Sequence, residues 1–400
     1  MKRSSLAILI LATLLILFSP LGIDIYLPVL PELSTLFNAT ASDVQYTLSL
    51  FIFASGIGQL IAGPLADRYG RRPVALWSIL LFLVASLAAA MSQDLDQLYF
   101  SRTLQGLAAC GTSVVSYTLI RDLFEGHQRA TAYNYLNGAL CVAPAGAPLV
   151  GAMLATTFGW RSIFVALAVF SALVFVYMLL KLPESRPQHT VIPKKLISLA
   201  PYSQVLREPM FLYYGFTCMA ALAAIISYVS YAPLVLIQEL GLDQQQFGIL
   251  FGANAILIML ANLFAPRLIG KMGAVSTVLA GSGILTLAGT AMLLSQQVHG
   301  STLLGYVAPV AVASVGFALI LGAATSKALE PFPSQAGTAS ALLGCWQMMG
   351  AAIISALALE TGWSGGLAVG LVLAVLGGTC IAAGALFRVQ NTDGQNVAES

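Results

Sequence analysis

Residues 63–73 read Gly63-Pro64-Leu65-Ala66-Asp67-Arg68-Tyr69-Gly70-Arg71-Arg72-Pro73. This polar stretch lies between two apolar runs, 44–65 and 74–92, and each run is long enough to cross a bilayer as a helix. Glycines permit a tight turn and a close approach of helices. The stretch therefore predicts a turn between two membrane-spanning helices, with its arginines on the cytoplasmic side.

Apolar runs of the same kind recur along the whole chain. A spanning helix needs about 20 mostly apolar residues, and the chain offers twelve such runs. They lie at 5–33, 44–65, 74–92, 97–121, 129–156, 161–181, 210–237, 245–267, 274–295, 301–327, 334–359 and 363–387. The alternating strands of an outer-membrane barrel do not occur. We therefore predict an all-α integral membrane fold of twelve transmembrane helices.

The composition agrees with a membrane protein and excludes several other classes. Of 400 residues, 58% are hydrophobic and only 8% are charged, whereas a soluble domain carries about 25% charged residues. The net charge of +2 lacks the basic stripe that nucleic-acid binding needs. Each of the five cysteines lies alone in an apolar run, so neither a disulfide framework nor a zinc site is expected.

The first run, 5–33, also has an alternative interpretation as a signal peptide, because Lys2 and Arg3 precede it. No cleavage site of the A-x-A kind follows, and the apolar stretch continues to residue 30. These features favour a transmembrane helix.

The basic residues predict the orientation of the helices. When the runs alternate from a cytoplasmic N-terminus, all but two of the 18 Lys and Arg residues fall on the cytoplasmic side. Only Arg161 falls outside, and Arg102 falls within a helix. This asymmetry is what the positive-inside rule requires. We therefore expect a multi-pass protein with both termini in the cytoplasm.

A polar interruption at 182–209 divides the chain into two halves. It separates an N-terminal six-helix bundle, 1–181, from a C-terminal bundle with a short tail, 210–400, and is expected to be a cytoplasmic loop. The two halves show a weak sequence similarity, because Pro266 to Gly273 follows helix 8 as the 63–73 stretch follows helix 2. Six-plus-six repeats are typical of some transporter folds.

Two charges remain inside the membrane, Asp24 in helix 1 and Arg102 in helix 4. Ionisable groups at that depth are costly and are functional candidates by default. Both lie towards the outer end of their helix, so we expect them to pair. Pro28 is expected to open helix 1 beside the acid. The alternatives are a purely structural salt bridge, or an Arg102 that extends to the outer headgroups.

Other polar residues at membrane depth are candidates for lining a substrate cavity. They also fit ordinary hydrogen bonding between helices. These residues are Tyr26, Gln59, Gln105, Asn134, Asn137, Tyr228, Tyr231, Asn254 and Gln347.

The 63–73 stretch resembles the signature loop of the major facilitator superfamily. Arg102 to Gly106 resembles the helix 4 motif of that family, whose arginine is linked to proton coupling. Ala147 to Ala152 resembles a loosened helix 5 antiporter motif, with alanine at both ends where glycine is usual. Ile23 to Pro28 and Ala336 to Ser340 look like the Bcr/CflA branch.

The resemblance covers essentially the whole chain and implies a drug/H+ antiporter of the bacterial inner membrane. That branch includes bicyclomycin and chloramphenicol/florfenicol exporters. Asp24 is then the sole helix 1 carboxylate and would couple protons together with Arg102. We expect a conformational gate in the loop, formed by Gly63, Asp67, Arg68, Gly70, Arg71 and Arg72.

The predicted function is proton-coupled efflux of small amphiphilic drugs by alternating access. A proton-coupled exporter of a metabolite, such as a siderophore, amino acid or sugar, is the alternative. An integral-membrane enzyme is a weaker one, because no hydrolase or ATPase motif is present. We expect a monomer in the bilayer that handles small molecules and protons, without a cofactor, a metal or nucleic acid.

Overall fold

The computed structural model describes residues 3–187, 199–332 and 335–398, and its side chains except at 3–5, 126, 127, 130, 134, 199–201 and 387–398. Within these ranges every regular element is helical. In chain order the helices are α1 (Arg3–Ile16), α2 (Phe18–Asp24), α3 (Leu30–Leu36), α4 (Ala41–Tyr69), α5 (Arg71–Met91), α6 (Leu95–Leu123), α7 (Gly126–Phe158), α8 (Arg161–Lys181), α9 (Leu199–Val205), α10 (Pro209–Pro233), α11 (Gln244–Met272), α12 (Ala274–His299), α13 (Leu303–Leu329), α14 (Ala336–Glu360) and α15 (Gly365–Ala398). The predicted all-α membrane class is confirmed.

Eleven helical segments in the described ranges are long and apolar enough to cross a membrane. The first of them, Leu6–Leu36, joins α1, α2 and α3. Helix α6 is not among the eleven, yet its 29 residues extend over about 44 Å. It is less apolar because it carries Arg102 and because many of its buried residues are small or polar. Together these segments account for the twelve predicted helices.

The first span is broken, although the sequence predicts one continuous run at 5–33. Helix α2 ends at Asp24, and a 3₁₀ turn, Leu27–Val29, precedes α3. Pro28 has no N–H, so the carbonyl of Asp24 lacks the donor that would continue the helix. The N–H of Val29 instead bonds the Tyr26 carbonyl at 3.2 Å. The break therefore lies beside the acid, as expected from Pro28.

The chain divides into two compact units, and the first contains Met1–Ser198 with Gly241–Ile256. In this unit α6 packs against α1, α4 and α5, and α5 also packs against α8. Small residues allow the contact, because a Cβ on Gly106 would collide with the carbonyl of Phe51 in α4. Helix α6 is thus surrounded by protein, which is where polar side chains are tolerated in a membrane.

The second unit contains Leu199–Leu240 with Leu257–Ser400. Helix α12 packs against α13 and α15, and α10 packs against α13 and α14. Helix α10 is followed directly by a π-helical segment, Leu234–Glu239. Gly281 and Gly289 of α12 lie against backbone atoms of α13 and α15 respectively.

Each unit contains a one-residue joint between two long helices. Gly70 joins α4 to α5 with φ +104, and Gly273 joins α11 to α12 with φ +81. Both φ values lie in the left-handed region, where side chains with a Cβ are disfavoured. The weak sequence similarity between these stretches therefore corresponds to a shared turn conformation.

Candidate functional site

Asp24 is the last residue of α2 and is only 5% exposed. Among the described residues, no hydrogen bond or ion pair involves its carboxylate. A buried carboxylate without a partner is costly in its charged form, and protonation removes that cost. The position therefore suits a group that gains and loses a proton.

Helix α7 approaches the break in the first span very closely. A Cβ on Gly151 would collide with the carbonyl oxygen of Ile25, the residue after Asp24. Gly151 belongs to the helix 5 motif recognised in the sequence. The motif glycine therefore lets two backbones touch next to the acid.

Arg102 of α6 is fully buried. Its Nη1 donates to Oε1 of Gln105 at 2.8 Å. Its guanidinium carbon lies 4.5 Å from the ring centre of Phe51 and 4.9 Å from that of Tyr26. The electron-rich faces of these rings attract the cation. Nε and Nη2 have no hydrogen-bond partner, which leaves two donors of a buried cation unused.

The predicted pair between Asp24 and Arg102 is absent from the described side chains, because no Asp24 oxygen lies within 4.0 Å of an Arg102 nitrogen. That expectation is wrong for this structure. Although α2 ends at Asp24, Ile25 and Tyr26 keep a right-handed helical backbone, so the side chains of Asp24 and Tyr26 point about 200° apart. Arg102 stacks on Tyr26 and therefore lies towards the other face.

A short hydrogen-bonded chain holds the surroundings of Arg102 in place. Gln105 accepts from the guanidinium, and its Nε2 donates to the Ser86 hydroxyl at 2.8 Å. The hydroxyl of Tyr26 lies 3.1 Å from that of Thr47. Of the predicted cavity residues, Tyr26 and Gln105 are thus buried supports of Arg102.

Residues 63–73, called the 63–73 loop below, form the end of α4, the joint at Gly70 and the start of α5. Arg71 is the centre of their polar contacts and is 1% exposed. Its Nη1 lies 2.7 Å from Oδ1 of Asp67, and its Nε lies 3.0 Å from Oδ2 of Asp122 at the end of α6. Asp122 is also 3.0 Å from Nε of Arg121. Asp122 is not among the residues that the sequence singles out. Its side chain is 3% exposed. This burial marks Asp122 as a partner of Arg71, and it cannot be seen in the sequence.

The other loop residues have smaller roles. Arg72 donates from Nη2 to the Leu179 carbonyl at 2.9 Å, and Arg68 stacks on Tyr69. A Cβ on Gly63 would meet nothing within 4 Å, so packing does not require glycine there. Gly70, in contrast, has the positive φ described above.

Two residues that the sequence does not single out, Glu184 and Arg186, reach this loop from beyond α8. Glu184 accepts the backbone N–H groups of Arg71 at 2.9 Å and Arg72 at 3.2 Å. Arg186 donates to the carbonyls of Arg68 at 2.8 Å and Asp67 at 3.3 Å. Burial raises the pKa of Glu184, but three backbone N–H donors and the charge of Arg186 together outweigh it. The pKa therefore lies below its ordinary value.

The remaining predicted cavity residues differ in environment, and the two units are considered separately. In the first unit, Gln59 is half-buried, Asn254 is buried, and Asn137 is exposed and accepts from the Tyr117 hydroxyl at 3.3 Å. The side chain of Asn134 lies outside the described part. In the second unit, Tyr228 packs 6.4 Å from Tyr306 between ring centres. The hydroxyl of Tyr231 donates to the Ala358 carbonyl at 2.7 Å, and Gln347 is half-buried.

Within the described ranges, no group of three or more His, Cys, Asp or Glu side chains could hold a metal ion. All five cysteines lie in the described ranges and none of them forms a disulfide there; four of the five are buried.

The sequence matches the Major Facilitator Superfamily over residues 12–355. The chain belongs to this superfamily. It is similar to a protein named Multidrug resistance protein MdtL from Shewanella oneidensis, with 31% identity over 342 residues and 85% of each chain covered. The MdtL protein of Salmonella typhimurium is 30% identical over 385 residues, which cover 96% of this chain and 95% of that protein.

A solved structure, that of a D-xylose-proton symporter, matches with a TM-score of 0.70 at 18% identity. The match covers 96% of this chain and 97% of the symporter. At that identity the likeness shows the fold alone. It agrees with the helical membrane architecture described above.

Proposed function

We propose that this protein is a proton-driven exporter of small amphiphilic drugs, of the Bcr/CflA type, in the bacterial inner membrane. Two lines of support carry the class of function: the superfamily, and relatives at about 30% identity whose names describe multidrug resistance. The residue-level support is the unpartnered carboxylate of Asp24, buried beside a break in the first span.

Asp24 is the proposed proton carrier. A carboxylate can be neutral or charged, whereas arginine keeps its charge under physiological conditions. The protonated acid is compatible with its present site, which offers the carboxylate no partner among the described residues. On losing the proton, Asp24 needs a counter-charge or water.

Arg102 is the proposed counter-charge in the other state of the cycle. Its unused Nε and Nη2 groups can donate hydrogen bonds to a carboxylate, and both residues belong to the first unit. The break at Leu27–Val29 permits the short segment around Asp24 to turn. Proton uptake then separates the pair, and proton release restores it.

Arg71, with Asp67 and Asp122, is the proposed conformational gate. This buried cation ties the loop between α4 and α5 to the end of α6. Alternating access requires such ties to break and reform as the protein changes state. The many cationic residues near the loop favour a cytoplasmic position for this gate, and we propose that both termini lie on the same side.

The proposed substrates are neutral amphiphiles, with amphenicols and bicyclomycin-like compounds as the first class to test. A ligand near Asp24 and Arg102 meets charges that roughly cancel, which disfavours dications. Within the second unit by itself, Tyr228, Tyr231 and Gln347 are proposed substrate contacts.

The test uses the purified protein in proteoliposomes with an imposed pH gradient. Uptake of labelled chloramphenicol against its gradient, collapsed by a protonophore, is the expected result. Equal uptake with and without the pH gradient would contradict proton coupling. If no drug of a broad panel is moved but a siderophore, amino acid or sugar is, the protein is a metabolite exporter and the drug assignment is wrong.

A further inference from the structure

Glu184 occupies the N-terminus of α5 although it follows α8 in sequence. The first N–H groups of a helix have no partner within the helix, and a carboxylate there satisfies them and complements the helix dipole. Oε1 of Glu184 accepts from Arg71 at 2.9 Å, and Oε2 accepts from Arg72 at 3.2 Å. Oε1 also accepts the N–H of Arg186 at 2.9 Å, which fixes the carboxylate to its own turn.

Arg186 occupies the opposite helix end, the C-terminus of α4. The last carbonyls of a helix also lack partners, and a cation there is favourable. Nη1 of Arg186 donates to the carbonyls of Arg68 and Asp67. Two residues of one short segment thus cap the two helix ends that meet at Gly70, each with the charge that its helix end prefers.

We propose that Glu184 and Arg186 form a double cap that sets the joint at Gly70 and so positions Asp67 and Arg71. The backbone of Arg71 is held by Glu184, while its side chain reaches Asp67 and Asp122. The backbone of Asp67 is held by Arg186. The importance of this device for transport rests on the proposed gate, whereas its structural effect does not.

Gly70 gives independent support for the double cap. A Cβ at this position would collide with the Glu184 carboxylate, whereas a Cβ on Gly273 at the matching joint would meet nothing within 4 Å. Both glycines have positive φ. Only the first joint therefore needs glycine to admit a capping side chain as well as to make the turn.

The double cap differs from a surface ion pair in one testable respect. No ion pair joins Glu184 to Arg186 in the part of the chain that the structure describes. Exchanging the two residues would preserve any mutual attraction. It would also place a guanidinium against N–H groups and a carboxylate against carbonyls, which is unfavourable at both helix ends.

The test is hydrogen exchange of the full-length protein in lipid nanodiscs, read at the Arg71 and Arg72 amides. Glu184→Ala is expected to speed exchange about tenfold, as for the loss of a helix cap. Glu184→Gln keeps one acceptor oxygen and should lie between. The exchanged pair E184R/R186E should be at least as fast as Glu184→Ala. Glu330→Ala, which removes an exposed acid that pairs with Lys327, is the control and should match the wild type.

Unchanged exchange in Glu184→Ala, or protection restored by the exchanged pair, would overturn the double cap. A transport assay on the same variants separates its role from the proposed function. We expect Glu184→Ala to lower kcat several-fold and leave KM unchanged, because the gate and not the substrate cavity is disturbed. If the wild type moves no drug, the proposed function fails while the exchange result still decides the cap.

Discussion

Nε of Arg71 lies 3.0 Å from Oδ2 of Asp122, and this ion pair joins α5 to the end of α6 with almost no exposure of either side chain. The second partner of Arg71, Asp67, is 39% exposed. Arg71 thus has one buried partner, Asp122, and one solvent-exposed partner, Asp67. We therefore expect the two acids to contribute unequally to the free energy of unfolding, and mutation of each can measure its contribution.

Asp122→Ala should destabilise the protein by about 3–5 kcal/mol, because it removes the buried partner of a buried cation. Asp67→Ala should cost no more than about 1 kcal/mol, because an exposed partner is screened by water. Thermal unfolding in detergent compares the two variants directly. Equal losses would contradict the assignment of Asp122 as the main partner.

Asp24→Asn should abolish transport driven by a pH gradient while leaving substrate exchange without a gradient intact. The amide matches the protonated acid in shape but cannot release a proton. Asp24→Glu should retain part of the activity. Asp96→Asn, which neutralises an exposed acid in the first turn of α6, is the control. Full gradient-driven activity in Asp24→Asn would remove Asp24 from the coupling step.

Arg102→Met should leave thermal stability unchanged or raise it, yet stop coupled transport. The cation is buried without an ion-pair partner among the described residues, and replacing such a charge by an apolar side chain relieves its desolvation cost. Loss of both stability and transport would instead point to a structural role. Size-exclusion profiles and melting curves of the purified variant distinguish these outcomes.

Gly70→Ala should be more harmful than Gly273→Ala. Both glycines have ψ 158, and this combination of φ and ψ costs each alanine variant about 1–3 kcal/mol. Only at position 70 does the new Cβ also collide with Glu184, so the Arg71 and Arg72 amides should lose protection there. Similar melting temperatures and amide exchange rates for the two variants would contradict this prediction. They would show that Glu184 can move away from the new Cβ and still cap α5.

The contribution of Glu184 to stability should depend on pH in one direction. Its folded pKa lies below the ordinary value, so the contribution is fully present above the unfolded pKa, about 4.3. It is lost as the pH falls through the folded pKa. The difference in melting temperature between wild type and Glu184→Gln should therefore stay constant from pH 8 to about pH 5.5 and shrink at lower pH. A difference that grows on acidification would contradict this sign.

The helices and the special charges were accessible from the sequence, because hydropathy and charge are local properties. The scarcity of charged residues isolated Asp24 and Arg102, and Pro28 indicated the break in the first span. Their predicted pairing was wrong because hydropathy gives the depth of a residue but not its rotation about the helix axis. The contacts of Arg102 with the rings of Tyr26 and Phe51 were therefore not predicted from the sequence.

The sequence by itself determined a helical membrane protein, the tight joint at Gly70, and the small set of charges that a bilayer makes expensive. Only the tertiary structure decided which groups meet. Asp122 lies 51 positions from Arg71, and Glu184 lies 113 positions from it. Such contacts depend on how helices pack and where their ends coincide in space. The order of charges along the chain does not predict these contacts. From the sequence alone, Asp122 and Glu184 therefore could not be distinguished from ordinary surface acids.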